Sequence, residues 1–135
     1  MSFEELPHTA DVKIRARAAS LDLLFSDAFQ ALMQVMYGND RNGGVTRELS
    51  LDAKDHESLL ADFLSEVLFL SEVDGLVFSR AEITITNTTL HAVMDGEAFD
   101  PLRHSGGTEV KGISYSGLAI THDTNGYMLE ILFDV

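Results

Sequence analysis

The order of patterned segments predicts an α+β fold: two helices packed on a mostly antiparallel sheet, a two-layer sandwich forming a single domain over residues 1–135. Three observations carry this expectation. Two segments place apolar residues at helical spacing, and each is flanked by segments that alternate apolar and polar residues. After the second helix the strands follow one another through short turn signals, which is the pattern of hairpins rather than of parallel crossover units. The 135 residues, 45% of them apolar, are enough for one core and contain no repeat and no linker long enough to divide it.

The elements follow in chain order. Residues 12–18 alternate, with Val12, Ile14, Ala16 and Ala18 on one face and Lys13, Arg15 and Arg17 on the other, which predicts a half-buried strand. Ser20 caps a helix with Asp22 in its first turn; its stripe is Leu21, Leu24, Phe25, Ala28, Leu32, Val35 and Met36. The Gly- and Asn-rich run 38–44 ends that helix near Tyr37. Residues 45–52 alternate again. Asp55 caps a second helix with a stripe of Leu59, Leu60, Phe63, Leu64, Val67, Leu68 and Leu70, and Gly75 follows its end. Residues 81–86 and 89–94 form a hairpin about Asn87-Thr88. Residues 108–122 read as two strands meeting near Ser116-Gly117. Asp123-Thr124-Asn125-Gly126 is a strong turn, and 127–133 is the last strand.

Charge excludes one broad class of function. With 22 acids against 9 Lys and Arg, the net charge of −13 opposes binding of phosphate backbones, so no direct nucleic-acid contact is expected. There are no cysteines, hence no disulfide or thiol chemistry. No apolar stretch reaches the roughly 18 residues of a membrane span. The opening residues lack the basic and apolar run of a signal peptide, so a cytoplasmic protein is expected.

Candidate chemistry concentrates at few places. The last strand ends in Asp134-Val135, which sets a side-chain carboxylate beside the α-carboxylate; two hard anions so close call for a cation or a positive partner. Asp11, in His8-Thr9-Ala10-Asp11, also sits at a strand end. It serves either as a turn cap or as a further oxygen ligand, and it meets Asp134 only if their strands are neighbours. Asp100-Pro101-Leu102-Arg103-His104 reads as a polar loop, either a plain surface turn or a presented cationic pair. Thr108-Glu109-Val110-Lys111 alternates as a strand, with Glu109 and Lys111 on one face. Asp62 and Glu66 fit a solvated helix face. Gly43-Gly44 and Gly106-Gly107 lack phosphate-loop spacing, and the His residues are scattered, without metal-site spacing.

Together these segments resemble the archease family across nearly the whole chain. The resemblance rests on His8-Thr9-Ala10-Asp11 before an alternating strand, Ser20-Leu21, Phe69-Leu70-Ser71-Glu72, Asp100-Pro101-Leu102-Arg103-His104, Thr108-Glu109-Val110-Lys111 and the closing Leu132-Phe133-Asp134-Val135. It implies an accessory protein, not itself a catalyst, for an RtcB-type tRNA-splicing RNA ligase. Such a protein promotes guanylylation of the ligase's active-site histidine and so supports multiple turnover. It also implies a divalent-cation site, calcium first and magnesium or manganese as alternatives, held by Asp11, Asp134 and the carboxylate of Val135. His8, Arg103, His104 and Lys111 become candidates for contact with the ligase. Gly112 replaces the family's usual Ala, Ser116 replaces a His after Tyr115, and Tyr127 replaces a usual Trp.

Two other functions fit the same residues. One is a stand-alone metal-dependent hydrolase with His104 or His8 as base. The other is a chaperone or modulator of another RNA-modifying enzyme, such as a tRNA methyltransferase.

Overall fold

The computed structural model of the protein describes residues 2–6 and 11–135. Among the described residues, seven strands and three helices follow in the order β1 (Ser2–Leu6), β2 (Asp11–Ala18), α1 (Leu21–Tyr37), β3 (Val45–Asp52), α2 (His56–Asp74), β4 (Leu76–Thr86), β5 (Thr89–Ala98), α3 (Pro101–His104), β6 (Gly112–Asp123) and β7 (Gly126–Asp134). The α+β class and the antiparallel pairing are as the sequence predicts. The single expected sheet is instead two: β1-β2-β7-β6 and β3-β5-β4.

The two long helices begin where their caps require. Ser20 Oγ accepts from Leu23 N at 3.3 Å, and Asp55 Oδ1 accepts from Ser58 N at 2.7 Å. α2 stops at Gly75, whose left-handed φ of 62° an L side chain rarely adopts. Both helices touch both sheets. α1 packs on β2, β7 and β4, while α2 packs on β6, β3 and β4. Phe25 and Phe29 of α1, Phe63 of α2 and Phe78 of β4 join in a chain of rings with centroids 6.4 Å apart. One continuous cluster of buried side chains therefore serves both sheets.

Several local expectations fail, each for a physical reason. β1 has only five residues and little alternation, so it escapes the pattern. β4 begins at Leu76, not at residue 81, because Leu76-Val77-Phe78 is buried on both faces and does not alternate. Residues 112–123 form one strand, not two. Gly117 bends it with φ 73°, and its register to β7 shifts between Ser114 and Ala119. Residues 108–111 belong to no strand, although Lys111 N donates to Asp134 O at the end of β7, and 101–104 are helical.

The chain path sets up one corner. β7 lies between β2 and β6, and its last residue, Asp134, is paired with Asp11 on one side and Gly112 on the other.

Candidate functional site

The alternation of β2 and β7 decides what this corner presents. Ile14, Ala16, Leu129, Ile131 and Phe133 are buried beneath the sheet. Asp11, Lys13 and Arg15 therefore share the outer face with Glu130 and Asp134. The cations of that face are already engaged. Arg15 donates to Glu130 Oε2 through Nε (2.8 Å) and NH2 (2.5 Å), Lys13 lies 3.4 Å from Glu130, and Arg17 lies 3.7 Å from Glu4. The Arg15 hydrogen bond, then Lys13, holds the Glu130 carboxyl below its ordinary pKa. Among the described residues, no such cation pairs with Asp134.

Asp11 and Asp134 stand directly opposite each other, and in an antiparallel pair this sets Cβ atoms about 4.5–5.5 Å apart on one face. Two carboxylates so placed can bind one ion between them. On the other flank Gly112 contributes no side chain; a Cβ there would lie 3.5 Å from Asp134 Oδ2, an ordinary contact. Lys111 N donates to the Asp134 carbonyl at 2.7 Å, and the Lys111 side chain is exposed next to the corner. Val135 follows, partly exposed. Oxygen donors of this kind suit hard cations such as calcium or magnesium. Among the described residues no group of three His, Cys, Asp or Glu could hold a metal. Beyond Asp11 and Asp134, further donors would come from backbone carbonyls, from water or from residues outside the described ones. His8 lies outside the described residues.

The other predicted pair is engaged within the fold: Arg103 is half-buried among carboxylates and His104 is buried. Asp100 caps α3, its Oδ1 accepting from Leu102 N at 3.0 Å. Arg103 grips Glu97 with two parallel bonds, NH1 to Oε2 at 2.9 Å and NH2 to Oε1 at 2.6 Å, and reaches Asp100 Oδ2 through Nε at 3.1 Å. The Arg103 hydrogen bonds pull the Glu97 carboxyl down to about 2. His104 is 1% exposed. Its Nδ1 accepts from Asp100 N at 2.9 Å, so the proton sits on Nε2, which donates to the Asp40 carbonyl at 3.0 Å. Both ring nitrogens are occupied, which weighs against His104 as a solvent-facing base. The pair locks the α3 turn onto the 38–42 loop, where Asn42 N also donates to Glu97 Oε2 at 2.7 Å.

From that lock the chain is led to the corner. Gly107 lies against the end of α1, Thr108 N donates to Val35 O at 2.8 Å, Val110 is fully buried, and Lys111 N reaches Asp134. Local sequence reasoning missed Glu97, because nothing in the sequence says which carboxylate Arg103 meets. It also missed Asp27, 4% exposed on α1, whose burial raises its pKa and whose Oδ2 has no hydrogen-bond partner among the described residues. A partial signal was present, since Asp27 stands at i+3 from Leu24, beside the apolar stripe of its helix.

The fold and the corner define a class: a small α+β protein of two antiparallel sheets with paired carboxylates at the ends of β2 and β7. The chain belongs to the archease family. The profile of the Archease protein family (MTH1598/TM1083) matches residues 3–135. The protein archease of Methanosarcina mazei is 32% identical over 98% of this chain and 95% of its own length. That of Pyrococcus abyssi is 34% identical, covering 98% of both. Two solved structures share the fold. Protein 1598 of Methanobacterium thermoautotrophicum superposes with a TM-score of 0.79 at 24% identity over 98% of each chain. An archease of Thermotoga maritima, described as a possible chaperone, gives 0.68 at 19% identity over 98% of this chain and 96% of its own. Among the described residues no helix is long and apolar enough to cross a membrane.

Proposed function

We propose that this protein is an accessory factor of an RtcB-type RNA ligase, promoting guanylylation of the ligase and its multiple turnover through a cation held at the acidic corner. Membership of the archease family supports the accessory role. The observation that carries the corner's part in it is the pairing of Asp11 with Asp134 beside the side-chain-free Gly112. Asp11 and Asp134 would hold the cation with the carboxylate of Val135, and calcium, magnesium and manganese all suit such donors. A bound cation supplies positive charge at an otherwise anionic edge. Lys111, exposed next to Asp134, would then share a positive surface with it and face the nucleotide-binding mouth of the ligase.

The test is ligase turnover with GTP and a divalent metal, with and without this protein. Wild type should accelerate guanylylation, and Asp134→Asn should lose most of that effect while its melting temperature in chelator stays unchanged. An extension after Val135, which turns its carboxylate into an amide, should weaken calcium binding. No change in ligase guanylylation on adding the wild type would sink the accessory role. Full calcium affinity in the extended form would remove Val135 from the ligand set.

A further inference from the structure

A second feature lies on the other side of the 105–111 loop. A cavity of about 530 Å³ opens there, lined by Tyr37, Glu72, Phe99, His104, Thr108 and Glu109, among others. Tyr37, Phe99 and His104 form a cluster of three rings with centroids 6.0–6.4 Å apart. Tyr37 is anchored through its hydroxyl to Ser71 Oγ at 2.6 Å, and Ser71 Oγ in turn donates to the Leu76 carbonyl. His104 is held by the lock described above. Phe99 is the ring open to a ligand, since it is 43% exposed, while its backbone N donates to Gly75 O at 2.9 Å.

Glu72 and Glu109 line the same cavity as these rings, and among the described residues neither is in an ion pair. Their charge rules out an anion, and a phosphate backbone with it. A neutral apolar ligand would strip water from both carboxylates without return. A hard metal ion would find ring edges where it needs fixed oxygens. A planar cation satisfies both halves of the lining: it stacks on an aromatic face and donates to a carboxylate. The rim indicates what carries that cation. Phe69, Glu72 and Val73 lie on one face of α2 at i, i+3 and i+4, with Phe69 56% and Val73 63% exposed. An apolar strip this exposed, continuous with an acidic aromatic pocket, fits a protein segment better than a free small molecule.

We propose that this cavity is a docking pocket for an arginine side chain of a partner protein, presented between aliphatic residues that cover Phe69 and Val73. The pocket stands apart from the acidic corner and does not depend on the ligase reading. The test titrates the full-length protein with the blocked tripeptide acetyl-Leu-Arg-Leu-amide, followed by amide chemical shifts, against the same tripeptide carrying citrulline, which keeps the shape and lacks the charge. The arginine form is expected to bind with a dissociation constant on the order of 1 mM and to shift signals around Phe99, Glu72 and Glu109. The Glu72→Gln/Glu109→Gln pair and, separately, Phe99→Leu should each weaken it about tenfold with unchanged melting temperature. Equal binding of the citrulline form, shifts that map elsewhere, or an unaffected Gln pair would each overturn the pocket, whatever the ligase assay gives.

Discussion

At the scale of single residues, tertiary neighbours decide what each charged group meets: Asp134 stands opposite Asp11, and Arg103 grips Glu97. Asp11 and Asp134 can be picked out as carboxylates at strand ends, but their pairing depends on β2 lying beside β7, which no local pattern states. The fate of Arg103 and His104 was less legible still. Asp-Pro followed by a cation and a histidine has the composition of a surface turn, and only the tertiary position of Glu97 and Asp40 turns it inward. This lock has a pH signature. Glu97 is pulled from its ordinary 4.5 to about 2, first by the Arg103 hydrogen bond. A carboxyl whose folded-state pKa is depressed contributes stability that is fully present above its unfolded value and is lost as pH falls through the folded one. Glu97→Gln should therefore cost about 1 kcal/mol at pH 7. The gap to wild type should close as pH falls from about 4.5 towards 2. Urea midpoints measured along that range check it; a gap of constant size down to pH 2 would mean that the carboxylate's charge is not what Arg103 uses.

At the scale of elements, what could be read was whatever announces itself locally. Ser20, Asp55 and Gly75 punctuate the helices because each solves a backbone problem within four residues of itself. The segment 108–111 misled for the converse reason. Its alternation is that of any segment with one side buried, and here Val110 is buried while the Thr108 amide goes to the helical Val35 O and only the Lys111 amide reaches β7, at Asp134 O. Gly107 is what allows this path. A Cβ at that position would meet Met36 O at 2.2 Å and Val35 O at 2.5 Å, both backbone atoms that side-chain rotation cannot relieve. Gly107→Ala should push the loop off the end of α1, break the Thr108–Val35 bond and cost about 1–3 kcal/mol. It should also disorder the backbone around Lys111, so hydrogen exchange of the Thr108 and Lys111 amides is the informative readout. Unchanged protection of both amides would show that the loop tolerates the methyl group and that Gly107 is not the constraint.

At the scale of the whole molecule, composition and the order of patterned segments predict one acidic α+β protein, and what they could not predict was the division into two sheets. That division follows from α1, which leaves β2 and delivers β3 to a different sheet, while the residues after β5 return the chain to β6. Both helices then bury one face against each sheet, and the alternating patterns of the strands look the same as they would in a single layer. The net charge of −13 acts on this assembly as a whole. Like charges in excess repel each other and oppose the compact state, and salt screens them, with a Debye length of about 30 Å at 0.01 M and about 10 Å at 0.1 M. Sodium chloride raised over that range should therefore increase the melting temperature of the wild type and of Asp134→Asn alike. Calcium should act differently at the same ionic strength. At about 100 times its dissociation constant, an ion that binds only the folded state adds about 2.7 kcal/mol. That increment should appear in the wild type, be largely absent in Asp134→Asn, and persist at high sodium chloride with only partial loss. Calorimetry of the two proteins in matched ionic strength separates the effects: equal calcium increments in both would assign the whole response to screening of the acidic surface and remove the paired carboxylates as its cause.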